Sequence, residues 1–178
     1  RLHRGSVRTP AMFNYELFAR AAEADAHIVL PEGHDDRILR AASTLLARGV
    51  VRLTILGDPA AVRKRAAELG LAIDAAEVVD PASSPLHEPF AVEYQRLRAH
   101  KGMTLEAARD RMLDGSYFGT MMVQTGLADG MVSGAANTTA HTIRPSLEII
   151  KTQPGVSVVS SVFFMALADR VLVYGDCA

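Results

Sequence analysis

The residues best suited to chemistry lie in one stretch, DGMVSGAANTTAHTIRP, residues 129–145. A short apolar run at 130–132 breaks at Ser133-Gly134, crosses a small-residue loop through Asn137, Thr138 and Thr139, and enters a helix carrying Arg144. A strand that runs through glycine and hydroxyl residues into a helix N-terminus presents unpaired backbone N–H groups and the positive end of the helix dipole at one spot. The chemistry this invites is the binding of a negative ligand, with Ser133, Gly134, Asn137, Thr138 and Thr139 as donors. The Thr and Asn residues also fit plain helix caps, and the two roles are compatible. Arg144, one turn into the helix, supplies a cation; its alternative is an ion pair with Glu148 at i+4.

Other candidates are weaker. Glu32, Asp35 and Asp36 form an acidic knot at a strand end, but Asp35 is placed to cap a helix and Asp36 or Glu32 to pair with Arg37 or Arg40. The six histidines show no metal-ligand spacing, so no metal site is expected. Arg98 has Arg96, Arg109 and Arg111 for neighbours, and on composition alone reads as an exposed helix charge. Cys177 is the only cysteine, so no internal disulfide can form.

The elements that must position these residues can be read in order. Asn14 can cap a first helix with Leu17, Phe18, Ala21 and Ala22 at helical spacing. HIVLPEG, 27–33, reads as a buried strand opening into a loop, followed from Asp35 by a helix that buries Ile38, Leu39, Ala42, Leu45 and Leu46 and ends at Gly49. A second strand at 51–56, a helix at 60–69 and a weaker strand at 77–79 repeat the pattern. Helices are then expected over 85–100, over 105–113 capped by Thr104, and over 116–125. The helix carrying Arg144 runs to about 151. Strand-helix alternation with short connections predicts an α/β fold, a parallel sheet covered by helices on both faces, with ligands outside the C-terminal strand ends. After Gln153-Pro154-Gly155 the runs 156–165 and 171–176 are β-branched and aromatic with no helix between them, so they predict a hairpin or neighbouring strand pair. The expected division is a linker or arm over 1–12, a first α/β domain over 13–153 and the start of a second over 154–178.

At 178 residues and 49% hydrophobic, the chain excludes a disordered class and has room for one full domain. With 19 basic against 20 acidic residues there is no basic face to predict nucleic-acid binding, and no apolar run approaches a bilayer span of roughly 20 residues. The Arg-rich N-terminal segment lacks the apolar core of a signal peptide, so a cytoplasmic setting is expected. The chain opens at Arg1 and stops directly after an apolar strand-like run, which reads as a fragment.

Several long motifs in order carry a specific resemblance: IVLPEGHDDRILRAA, LRAHKGMTLEAARD, YFGTMMVQTGLADGMVSGAANTTAHTIRPSLEIIKT and PGVSVVSSVFFM…VLVYGDCA. Over residues 12–178 the chain resembles the phosphate acetyltransferase family, and specifically the N-terminal half of its catalytic unit. The resemblance implies reversible acetyl transfer between acetyl phosphate and coenzyme A. It also implies a pair of three-layer αβα domains akin to the isocitrate and isopropylmalate dehydrogenases, with the active site in the cleft between them and commonly a homodimer. Coenzyme A enters as substrate, acetyl phosphate and inorganic phosphate are the other small-molecule partners, and no cofactor is expected to stay bound.

The same resemblance places the family's substrate-site arginines on Arg98, in LRAHKG, and Arg144, in TIRP. Arg98 is thereby assigned to a phosphate of coenzyme A and Arg144 to acetyl phosphate or the reacting centre. Asp176 and Cys177 are expected to line the cleft. Cys177 is not expected to be a nucleophile, because direct transfer needs no acyl-enzyme and no histidine is placed to activate it. His34 stands where the family usually has an acidic residue, which weakens a catalytic role for the Glu32 knot. The family's base, a serine and a further arginine come from the half beyond this stretch, so these residues alone are not expected to catalyse transfer. Alternatives are an acetyl-CoA-sensing domain, as in some malic enzymes, and a phosphate butyryltransferase. A dehydrogenase reading is disfavoured because no GxGxxG follows the first strand.

Overall fold

In the computed structural model, residues 9–175 are described. They divide into two compact units. The larger, residues 25–151, is built on a four-stranded, wholly parallel sheet of order β3-β2-β1-β4. Its strands are β1 (His27–Leu30), β2 (Arg52–Leu56), β3 (Glu77–Val79) and β4 (Gly130–Met131). Alternate side chains of these strands feed two separate cores. Leu30, Leu53 and Ile55 pack with Leu39, Ala42, Val62 and Ala66 of helices α2 (Asp36–Arg48) and α3 (Pro59–Glu68). Val29 and Leu56 pack on the other face with Phe90, Tyr94, Phe118, Met121 and Met122. The residues of that face come from α4 (His87–Arg98), α5 (Leu105–Arg111), α6 (Gly115–Gln124) and α7 (Thr139–Ile149). The result is the expected parallel sheet flanked by helices: successive side chains of β1 and β2 point to opposite faces, and the apolar runs give each face something to bury.

Local signals place most element ends. Asp35 and Asp58 accept from Arg37 N and Ala61 N to start α2 and α3, Pro59 sits at the first position of α3, and Gly49 closes α2 at φ 62°. Thr104 and Asp114 cap α5 and α6 in the same way. Close approach explains one glycine. A Cβ on Gly119 of α6 would lie 2.8 Å from Met131 Sδ and 3.1 Å from Val29 Cγ1, so the bare backbone lets α6 press against β1 and β4.

The smaller unit groups α1 (Pro10–Ala24) with residues 152–175, including the antiparallel hairpin β5 (Val162–Ala166) and β6 (Val171–Gly175). Helix α1 begins earlier than the Asn14 cap predicts. Thr9 accepts from Met12 N at 3.3 Å and Pro10 takes the first helical position, where its missing N–H costs nothing. No α1 residue is buried, and Leu17 is half-exposed. The hairpin forms only from residue 162, so 156–161 of the predicted strand stay outside it. Phe13 and Phe164 meet at 5.6 Å between ring centroids.

Candidate functional site

The chain steps outward from β1 through β2 to β3, then returns to the far side of β1 as β4. The order therefore reverses between β1 and β4, and the crevice beyond the C-terminal ends of those strands is where an open α/β sheet binds ligands. Beyond β1 stands Glu32, and beyond β4 the loop 133–138. Glu32 is fully buried, and its carboxylate accepts four successive backbone N–H groups. They come from Gly134 and Ala135 on Oε2, at 3.0 and 2.9 Å, and from Ala136 and Asn137 on Oε1, at 2.8 and 2.7 Å. Gly134, at φ 117°, makes the turn that aims these donors at one point. Burial pushes the Glu32 carboxyl up, but the four N–H groups outweigh it and hold the group below its ordinary 4.5.

The loop is thus an anion nest already filled by the protein's own carboxylate. The expectation that Glu32 pairs with Arg37 or Arg40 is corrected by this arrangement, since a buried carboxylate with four donors needs no cation. Arg37 instead forks onto Asp35, at 3.0 and 2.7 Å, and donates to the Ala135 carbonyl, which ties α2 to the loop from outside. Asp36 pairs with Arg65 of α3 at 2.8 and 2.6 Å, likewise not with Arg37 or Arg40.

The remaining loop side chains are partly committed. Ser133 Oγ lies 3.3 Å from Thr142 Oγ1 and 3.5 Å from Asn137 Nδ2, and Asn137 Nδ2 also reaches the buried Ser116 Oγ at 3.3 Å. Thr138 caps α7 by accepting from His141 N at 3.2 Å, and Thr138 and Thr139 are exposed. Gly134 and Asn137 thus spend their backbone donors on Glu32, while the two threonine hydroxyls stand at the surface beside Arg144.

A second cluster lies where α4, α5, α6 and α7 converge. Glu148 of α7 accepts from Tyr94 OH at 2.8 Å and Tyr117 OH at 3.2 Å, with Arg98 Nη2 3.9 Å away. Burial and the Glu148 bond push the Tyr94 hydroxyl well above its ordinary 10, and burial with the Glu148 charge moves Tyr117 the same way. Both tyrosines therefore stay donors. Glu148 is drawn away from Arg144, and the i+4 pair allowed by sequence spacing is absent among the described residues. Arg98 is no exposed helix charge: its side chain is 20% exposed, and its Nε is buried without a hydrogen-bond partner.

Arg144 is exposed and faces two adjoining hollows. One, of about 200 Å³, is lined by Arg111, Tyr117, Thr138, Ala140, His141 and Arg144. The other, about 570 Å³ and open, runs along α7 past Ile143, Leu147 and Glu148. The Arg111 guanidinium carbon sits 4.8 Å from the Tyr117 ring centroid, and His141 Nε2 lies 2.9 Å from Asp114 Oδ2 at the rim. Among the described residues no carboxylate pairs with Arg144, and no group of three or more His, Cys, Asp or Glu could hold a metal. Arg98 and Arg144, 46 positions apart, are brought to one Tyr117–Glu148 cluster. Asp176 and Cys177 lie outside the described residues. Sequence reasoning missed Glu32 as a loop anchor and Tyr117 and Arg111 as wall residues. Glu148 was visible only as a partner for the wrong arginine.

Residues 12–178 match the family described as "Phosphate acetyl/butaryl transferase". The phosphate acetyltransferase of Synechocystis sp. is 56% identical over 172 residues, which is 96% of this chain and 25% of that protein. The phosphate acetyltransferase of Corynebacterium glutamicum is 55% identical over 94% of this chain and 51% of its own length. Among solved structures, EutD phosphotransacetylase from Staphylococcus aureus superposes with a TM-score of 0.85 at 42% identity, covering 95% of this chain and 51% of that one. A phosphotransacetylase from Streptococcus pyogenes gives 0.82 at 39% identity, covering 92% and 51%. The chain thus spans between a quarter and about half the length of these relatives.

Proposed function

Because this chain belongs to the phosphate acetyl- and butyryl-transferase family, we propose that its protein moves an acetyl group reversibly between acetyl phosphate and coenzyme A, with Arg144 binding the phosphoryl group. The observation that carries this is the Arg144 guanidinium itself, exposed over a polar hollow with no carboxylate paired to it among the described residues. It rides on a helix whose entry loop is clamped by Glu32, so its position is set before a ligand arrives.

In the forward direction the coenzyme A sulfur attacks the acetyl carbonyl, a C–S bond forms, the C–O bond to phosphate breaks, and the thiol proton passes to a base. A thiol near pKa 8.5 is mostly protonated at neutral pH, which gives that base its task. Arg144 holds the leaving phosphate bidentately and offsets the charge it gains. The Thr138 and Thr139 hydroxyls beside it add neutral donors, while Ser133, Gly134 and Asn137 act by building the loop. Arg98, nearly buried with one N–H unmatched, is assigned to a phosphate of coenzyme A. The base, a serine and a further arginine are supplied by the part of the protein beyond this stretch, so the stretch by itself is inactive. A domain division at Gln153-Pro154, a homodimer and a cytoplasmic location go with this reading and rest on the family resemblance.

In the full-length protein, Arg144→Ala is expected to lower turnover efficiency about 10- to 100-fold, the value of one charged hydrogen bond of about 1.5–3 kcal/mol. Arg98→Ala is expected to raise KM for coenzyme A while leaving that for acetyl phosphate nearly unchanged. Wild-type kinetics of Arg144→Ala with both substrates would remove it from the site. Acetyl is favoured over butyryl by the names of the relatives, and paired rates on the two acyl phosphates test that choice.

A further inference from the structure

A second guanidinium, that of Arg111, lines the hollow that holds Arg144. Arg111 is the last residue of α5, exposed, and lines the same hollow of about 200 Å³ as Arg144. Its neighbours on the same helices are spent. Arg109 forks onto Glu88 at 2.8 and 2.6 Å, and Arg96 onto Glu93 at 2.7 and 2.6 Å. No carboxylate pairs with Arg111 among the described residues. Its guanidinium is instead steadied over the Tyr117 ring, 4.8 Å from the centroid, a contact that fixes the group while leaving its N–H fork unused. The nearby acids are held by other groups and make no pair with Arg111 among the described residues. Glu148 is engaged by Tyr94, Tyr117 and Arg98, and Asp114 by His141 and by the Ser116 N–H it caps.

Two guanidiniums lining one small hollow repel each other, and an anion bound between them relieves that repulsion. We propose that Arg111 is a second phosphoryl-binding residue, closing on the dianionic phosphate group of the substrate from the α5 wall while Arg144 holds it from α7. This rests on the assignment of Arg144 to the phosphoryl group. It adds a residue that sequence gave no reason to select, because Arg111 lies 33 positions away on a different helix. Selectivity follows from the charge: two forks favour a phosphate dianion over a singly charged carboxylate of similar size.

The test uses the full-length protein with Arg111→Gln and Arg111→Lys, read by steady-state kinetics and by calorimetric binding of inorganic phosphate. Arg111→Gln is expected to raise KM for acetyl phosphate and Kd for inorganic phosphate about three- to tenfold. KM for coenzyme A should move less than twofold, and the loss should fall on KM more than on kcat. Arg111→Lys, which keeps the charge but not the fork, should recover part of the loss. A residue that merely packs on Tyr117 would lower the melting temperature without this split between substrates. Unchanged phosphate binding in Arg111→Gln, or an equal rise in KM for coenzyme A, would overturn the proposal. If the wild-type protein lacked acetyltransferase activity, the proposed reaction would fall, while the phosphate titration would still decide whether Arg111 and Arg144 share an anion.

Discussion

Replacing Glu32 by glutamine removes one charge and almost no volume, and the structure lets its cost be worked out. The carboxylate takes two backbone N–H groups on each oxygen, all four at 2.7–3.0 Å, inside a fully buried site. A glutamine keeps one oxygen, which can satisfy one pair, and turns an NH2 group toward the other pair, so donors face donors. Two buried N–H groups left unmet cost about 1–3 kcal/mol each, and the bonds that remain lose their charge assistance. The expected loss is about 2–6 kcal/mol, a large fraction of the 5–15 kcal/mol typical of a folded domain. The sign of its pH dependence follows from the depressed carboxyl pKa. Stability from Glu32 is fully present above the ordinary value of 4.5 and is lost as pH falls through the lower folded-state value. Urea unfolding of wild type and Glu32→Gln should therefore show a wide gap at pH 7 that narrows in acid. Amide hydrogen exchange should show Gly134 to Asn137 losing protection in the variant. A gap under about 1 kcal/mol at pH 7, with protection at these amides retained, would refute the view that Glu32 builds the loop that carries Arg144.

Two further outcomes follow from packing and from charge. Gly33→Ala would place a Cβ 2.5 Å from the Leu56 carbonyl oxygen, a backbone atom that also accepts from Gly33 N at 3.1 Å. A loss of about 1–3 kcal/mol is expected, and an unfolding midpoint equal to wild type would contradict the close packing of this turn on β2. Glu148→Gln removes the negative charge that, after burial, helps keep the hydroxyls of Tyr94 and Tyr117 protonated. Ultraviolet titration should show these tyrosines ionising at lower pH than in wild type, though still above exposed ones because burial remains; an unchanged titration would argue that the Glu148 contacts contribute little.

Much of the architecture was legible because it is written in local terms. The apolar runs at 27–30 and 52–56, the caps Asp35 and Thr104, and Gly49 after α2 each act within a few residues, and the parallel α/β arrangement follows from their order. Where competing local signals lie close together the structure departs from them: Thr9-Pro10 starts α1 ahead of Asn14, and the strand expected over 156–165 forms as β5 only over 162–166. The motif around Arg144 was also visible, since a glycine-hydroxyl loop entering a helix is a contiguous pattern.

What fills that loop was not. A sequence displays donors at 134–137 but cannot show that an acceptor more than 100 positions earlier is delivered to them. That depends on β4 pairing beside β1 with Ile28 opposite Gly130 and Val29 opposite Met131. The same pairing decides that the loop is a clamped scaffold, and the convergence of α4 to α7 decides that Arg98, Arg111 and Arg144 meet around Tyr117 and Glu148. The sequence by itself determined the strands, the helices, their caps and the cation at 144, because these are set by neighbours along the chain. Only the tertiary structure decided which charges are spent within the fold and which are left facing solvent, because a carboxylate or guanidinium pairs with whatever the packing brings within about 3 Å, however far away it lies in sequence.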